Sequence, residues 1–293
     1  MSKYTSIMNL KSKNPRDNSS IFSTKDSIVM GILNLTKDSF YDGNKYHNNE
    51  QIIYRCKSML DEGASIIDIG AQSSRPGATQ ISSKEELKKL LPIIKLLKNS
   101  FCNITISIDT FWSNTAKECI QAGADIINDI SAGEIDEKMF STIAKINVPY
   151  IMMHMKGTPL NMQKNPSYKD ITKEIISYFK DKIEKLHSLG FHKIIIDPGF
   201  GFGKTITHNY QLLNNLALFE NFKLPILVGT SRKSMIYNLL DITPEYALNG
   251  TSIINTLALQ NGANILRVHD VKEAIECIKI TKFAKKNINE KNN

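Results

Sequence analysis

The sequence predicts an α/β protein folded as a single-domain (β/α)8 TIM barrel. Three observations carry that expectation. Short runs rich in Ile and Val recur along the chain, each nearly continuous in hydrophobicity, as strands buried on both faces of a parallel sheet are. Helix-period patterns separate them. Seven of the eight runs end in a hydrogen-bonding or charged residue, at the strand end where barrels of this kind keep their chemistry. An open, doubly wound sheet shares the alternation, but eight strands over about 250 residues is the barrel count.

The first run, IVMGIL (28–33), leads into Asn34, and a helix over 50–62 stops at Gly63. The second, SIIDIG (65–70), holds Asp68 and precedes a helix over 84–98, entered through Ser82, Ser83, Glu85 and Glu86 in capping-box style. ITISID (104–109) ends in Asp109, and its helix spans 113–121 before Gly123. DIINDI (125–130) brings Asn128 and Asp129, and PYIMMH (149–154) brings His154, with no helix read between these two runs. A long helical pattern over 168–189 ends at Gly190, placed as a C′ glycine. KIIID (193–197) ends in Asp197 before a Pro-Gly turn, with a helix from near His208. PILVG (225–229) is followed by helices from near Lys233 and Glu245, and NILRV (264–268) presents Arg267 and His269 ahead of a helix from near Lys272. No linker rich in Pro, Gly or Ser divides the pattern, so one barrel is expected over 27–283, between a polar arm (1–26) and a polar tail (284–293).

Composition narrows the class. The 293 residues are 41% hydrophobic and 23% charged, as in an ordinary globular protein. Cys56, Cys102, Cys119 and Cys277 stand far apart with no CxxC pair, which excludes a zinc ribbon and a disulfide scaffold. No apolar run reaches the ~18 residues of a membrane span and the first residues lack an apolar signal core, so a reducing cytoplasm is expected. Lys and Arg exceed Asp and Glu by 37 to 29, a net +8, yet no basic stripe interleaved with aromatics argues for nucleic acid.

The residues at the strand ends divide into two chemistries. Asp109, Asn128 and Asp197 suit a flat heterocycle with amino, imino and oxo groups. Arg75, Lys233, Arg267 and His269, with the amide of Asn34, suit a multiply charged phosphate group. Met153 and Phe202 can pack on a ring face between them. DPGFGFGKT (197–205) ends like a Walker A loop, but the required first glycine falls at Pro198, and it reads instead as a tight loop aiming Phe202 and Lys204 at the barrel mouth. SRKS (231–234) reads as a helix start whose free N–H groups favour anions. No GxSxG, HExxH or Cys–His arrangement appears, and His187, His192, Trp112 and Cys119 read as surface or packing residues.

In their order along the chain, MGILNLTKDSFYDG (30–43), DIGAQSSRPGA (68–78), SIDT (107–110), INDI (127–130), MHMKGTPLNMQ (153–163), IDPGFGFGK (196–204), GTSRKS (229–234) and RVHDV (267–271) make a specific signature. The chain resembles the dihydropteroate synthases from about Ser27 to Ile280. The resemblance implies condensation of p-aminobenzoate with 6-hydroxymethyl-7,8-dihydropterin diphosphate, giving 7,8-dihydropteroate and pyrophosphate in folate biosynthesis. It implies that Asp109, Asn128, Asp197 and Lys233 bind the pterin, with Ile130, Met153, Gly201 and Phe202 lining its pocket. It places Mg²⁺ at Asn34 and the diphosphate on Arg75, Arg267 and His269. Phe40 and Asp42 of the first loop, and Ser73, Ser74, Arg75 and Pro76 of the second, would close over p-aminobenzoate, whose carboxylate would lie near Ser234. Asp42, Arg75 and Lys233 would be the catalytic residues. A cytoplasmic homodimer joined through the last helices, and sensitivity to sulfonamides, are implied in the same way. The runner-up is a methyltetrahydrofolate–corrinoid methyltransferase, a pterin-binding barrel that has no need of the diphosphate grip. Lys37, Tyr41, Ala71, Gln72 and Ser74 depart from the usual family residues, and Ser74 keeps a hydroxyl while losing a methyl.

Overall fold

The computed structural model of the chain describes residues 26–35, 49–72 and 80–289. Eight parallel strands, β1 (Ile28–Asn34), β2 (Ile66–Gly70), β3 (Ile106–Asp109), β4 (Ile126–Asp129), β5 (Tyr150–Met153), β6 (Ile194–Asp197), β7 (Leu227–Val228) and β8 (Ile265–Val268), lie in the order β6-β5-β4-β3-β2-β1-β8-β7. A bridge between Ile196 and Ile226 joins the two ends of that order and closes the barrel. The expected (β/α)8 architecture is what the chain adopts.

Around the sheet run α1 (Asn49–Asp61), α2 (Ser83–Ser100), α3 (Ser113–Gln121), α4 (Met139–Ile146), α5 (Ile171–Ser188), α6 (Ile206–Asn214), α7 (Ser234–Tyr237), α8 (Leu248–Gln260) and α9 (Val271–Asn289). Ser82 caps α2 by accepting from the Glu85 N–H while the Glu85 side chain accepts from the Ser82 N–H, the reciprocal box expected there. The α4 helix is absent from the reading of the sequence. It is two turns long, starts at Lys138 without a side-chain cap, and is held by burying Met139 and Ile143, so tertiary packing decides it. The expected start near Glu245 is a single 3₁₀ turn (Pro244–Tyr246) ahead of α8. His187 and His192 are exposed and Cys119 is buried, as expected, while Trp112 stands one residue before α3 and donates its indole N–H to the Ile81 carbonyl.

The strand pleat organises the interior. Met30, Ile66, Ile126, Ile151, Ile195, Leu227 and Ile265 point inward and form an apolar plug across the barrel. Their chain neighbours, such as Ile67, Ile127, Met152, Ile196 and Leu266, point outward and pack under the helices. Because side chains alternate with period two, the inward position two residues further along is Ile32, Asp68, Asn128, Met153, Asp197, Gly229 or Arg267. A polar floor therefore lies directly on an apolar plug, at the carboxyl ends of the strands.

Candidate active site

Asp68 occupies the centre of that floor with 0% of its surface exposed. Its Oδ2 accepts from the Arg267 Nε at 2.7 Å and from the Asn128 Nδ2 at 3.1 Å. The Arg267 Nη2 also donates to the Asp109 Oδ2 at 2.9 Å. One guanidinium thus bridges two carboxylates, and a charged pair this deep holds only because its hydrogen bonds are made. Burial pushes the Asp109 carboxyl up to about 7, against the pull of Arg267 and with help from the negative charge of Asp68 and Glu86. Asn34 ends β1 beside this group: a β-carbon placed on Gly70 would lie 3.6 Å from both the Asn34 Oδ1 and the Asp109 Oδ2.

On the far side, Asp197 accepts from the Gly199 N–H at 2.8 Å, and burial raises its pKa while Lys233 opposes the shift. Lys233 donates to the Phe200 carbonyl at 2.5 Å and lies 4.6 Å from the centroid of the Phe202 ring. Burial lowers its ammonium to about 8, with Asp197 working in the opposite direction. The aliphatic stem of Lys233 also covers Gly201, where an added β-carbon would come within 3.3 Å of the Lys233 Cδ. Phe111, Ile130, Met153, Met155 and Met162 form an apolar wall with Phe202 packed against it. Ser234 opens α7 half-buried.

The loop after β6 is set by its backbone. Gly199 has φ +73°, and a β-carbon there would stand 1.9 Å from the His154 carbonyl oxygen, so only glycine fits. Lys204 is not aimed at the mouth as expected. Its buried ammonium turns inward, donating to the Gly199 carbonyl at 2.8 Å and the Phe202 carbonyl at 3.0 Å, and meets the His154 Nδ1 at 3.0 Å. It ties the loop down and leaves Phe202 to face the pocket.

Two strand-end residues leave the rim because the pleat turns them outward. Asp129 follows inward-facing Asn128, and its carboxylate accepts from the Ser131 and Gly133 N–H groups at 2.7 and 2.8 Å and from the Tyr150 hydroxyl at 2.7 Å. His154 follows Met153, packs edge-on against Tyr178, and is driven down to about 2 by burial, so it stays neutral. Arg232 of SRKS likewise turns away: it pairs with Asp270 through two bonds of 2.9 Å and donates to the Pro244 and Glu245 carbonyls. His269 remains near the rim, its Nδ1 3.0 Å from the Ser231 Oγ, but burial drives it down to about 3. Its ring is neutral in this environment, and Lys233 and Arg267 are the cations at the rim.

Phe40, Asp42, Ser73, Ser74, Arg75 and Pro76 lie outside the described residues. The structure brings together Asn34, Asp109, Asn128, Ile130, Met153, Asp197, Gly201, Phe202, Lys233 and Arg267. Asp68 is the central residue that the sequence-derived site omits; its signal is a carboxylate in the middle of the apolar run SIIDIG. No group of three or more His, Cys, Asp or Glu that could hold a metal occurs among the described residues. Asn34 offers a single neutral oxygen, which fits a hard cation that keeps waters and takes its remaining ligands from a bound diphosphate, and does not fit a caged metal.

Fold and rim together define a barrel enzyme for a planar, donor-rich ring with an anionic tail. Residues 30–269 match the family described as pterin binding enzyme. The dihydropteroate synthase of Escherichia coli (strain K12) is 41% identical over 254 residues, covering 86% of this chain and 89% of that protein. Among solved structures, the Yersinia pestis dihydropteroate synthase with a sulfonamide drug superposes with TM-score 0.87 and 41% identity, covering 90% of this chain and 96% of the other. A Clostridium difficile dihydropteroate synthase in the presence of pteroic acid gives TM-score 0.82 and 39% identity over 89% and 97% of the two chains. The chain belongs to the pterin-binding enzymes and, within them, to the dihydropteroate synthase family.

Proposed function

We propose that the chain condenses 6-hydroxymethyl-7,8-dihydropterin diphosphate with p-aminobenzoate, releasing pyrophosphate and 7,8-dihydropteroate. The observation that carries this reading is the polar floor: three acceptors, Asp109, Asn128 and Asp197, stand beside two cations, Lys233 and Arg267, over an apolar wall. The acceptors suit the amino and ring N–H donors of the pterin, and Phe202 and Met153 suit its faces. Arg267 and His269, with Arg75 from outside the described residues, are assigned to the diphosphate, and Ser234 to the p-aminobenzoate carboxylate. Asp42 and Phe40, with Ser73, Ser74 and Pro76, are assigned to the closing loops.

The C–O bond to the diphosphate breaks with its electron pair leaving on oxygen, and the pterin methylene carries the resulting positive charge into the ring. Lys233 and Arg267 offset the negative charge that builds on the leaving group. Asp109 and Asp197, when ionised, oppose the positive charge on the ring. The p-aminobenzoate nitrogen then bonds to the methylene carbon and gives up a proton, a step that needs positioning more than activation. Asn34 would hold a Mg²⁺ ion, which would supply Lewis-acid stabilisation of negative charge on the diphosphate. No protein nucleophile takes part, so the scheme is sequential, and a stable labelled enzyme adduct would contradict it.

The same proposal makes the protein a cytoplasmic homodimer. The exposed apolar side chains Ile253 and Leu257 of α8 and Ile280 and Phe283 of α9 are the surface assigned to the partner, and four free cysteines suit a reducing compartment. No helix of the described residues is long and apolar enough to cross a membrane. The test of function is pyrophosphate release. It is expected only when Mg²⁺, p-aminobenzoate and the pterin diphosphate are all present, and release independent of p-aminobenzoate would overturn the reading.

A further inference from the structure

We propose that Asp68 is a positioning residue that holds the ring-reading and the diphosphate-reading side chains in one register. The inference rests on the function proposed above and assigns a role to a residue that touches neither substrate half in that reading.

The geometry is specific. Asp68 lies on β2, and its two partners lie two strands away on opposite sides, Asn128 on β4 and Arg267 on β8. Both donate to the same oxygen, Oδ2, while Oδ1 has no hydrogen-bond partner. A fully buried carboxylate in an Ile-lined strand is a poor choice for stability alone, since an apolar residue of similar volume would usually serve as well or better. What it accomplishes is orientation. The amide nitrogen of Asn128 is committed downward to Asp68, so its carbonyl oxygen is left for the pocket. Asn128 therefore faces a ligand as an acceptor, matching Asp109 and Asp197, and all three select a donor-rich edge. The same oxygen anchors the Nε side of Arg267, and Asp109 anchors one Nη, so the guanidinium is fixed in plane and its remaining N–H groups are restricted in direction. A single carboxylate thus sets the spacing between the pterin reader and a cation that meets its leaving tail.

The test measures the two halves separately. Binding of 6-hydroxymethylpterin, which lacks the diphosphate, and of inorganic pyrophosphate with Mg²⁺ is followed by calorimetry in the wild-type chain and in Asp68→Asn. The variant keeps the shape but loses the charge, and both affinities are expected to fall at least about tenfold. In steady state the KM for pterin diphosphate rises while that for p-aminobenzoate stays within about twofold, a split that general loosening of the fold would not give. Adding Asp68→Asn to Asn128→Leu should weaken pterin binding by less than the two single effects combined, because part of the effect on the ring passes through Asn128. An unchanged affinity for either ligand in folded Asp68→Asn overturns the proposal, as does full additivity in the double variant. Asp68→Ser gives a second reading where Asp68→Asn is recovered unfolded, and failure of both to fold would make Asp68 a stability residue and overturn the assignment. A wild-type chain that binds neither ligand would count against the proposed function instead.

Discussion

Lys233 sits over the face of Phe202, its ammonium 4.6 Å from the ring centroid, while the same nitrogen donates to the carbonyl of Phe200. The cation and the ring come from loops after different strands, so their contact couples the loop after β7 to the loop after β6. Lys233→Ala should cut turnover by at least about tenfold, or about 1.4 kcal/mol of transition-state stabilisation, with an intact circular-dichroism spectrum. Initial rates that match the wild type would remove Lys233 from the site.

Arg267 bridges the buried Asp68 and the partly buried Asp109, and that fork cannot be copied by a point charge. Arg267→Ala is expected to lower turnover at least about tenfold, and Arg267→Lys to restore little of it. Recovery of most of the rate by lysine would show that charge alone suffices.

Replacing Gly199 by alanine forces a side chain into a left-handed backbone position and into the His154 carbonyl. Urea denaturation should report a loss of at least about 1–3 kcal/mol, and pterin binding should weaken because Asp197 shares this turn through its bond to the Gly199 N–H. Wild-type stability in Gly199→Ala would contradict the close approach.

The Arg232–Asp270 pair is a structural tie between the turn after β7 and the start of α9. Asp270→Asn strands a buried guanidinium and should cost about 3–5 kcal/mol in denaturation experiments. A loss below about 1 kcal/mol would place the pair among solvated surface bridges.

Glu86 brings a pH dependence. It is buried on the inner stripe of α2 and accepts from the Thr110 hydroxyl at 2.6 Å, and burial pushes its carboxyl from 4.5 up to about 7. A carboxyl whose folded pKa is raised binds more protons in the folded chain, so its penalty is absent below about 4.5 and complete above about 7. Glu86→Gln stays neutral throughout. Its stability relative to wild type should therefore improve by about 2 kcal/mol between pH 5 and pH 8, read by thermal or urea unfolding. A difference that does not change with pH would mean Glu86 is ionised at no cost.

The sequence alone determined the barrel, because strands buried on both faces must be continuously apolar and several of the helices between them are marked by a capping side chain or a glycine stop. It also determined the chemical inventory at the strand ends. It did not determine which of two adjacent polar residues faces the pocket: Asn128 and Asp129 are equivalent as letters, and one residue of pleat separates a ring contact from a structural cap. Asp68 was visible as an oddity inside SIIDIG, but its role depends on partners 60 and 199 residues away. The α4 helix was likewise settled by tertiary packing, and the inward turn of Lys204 by the folded loop together with His154, 50 residues away. Local propensity records what each residue can form, and only the closed sheet, by fixing the parity of every strand at once, decides which groups meet.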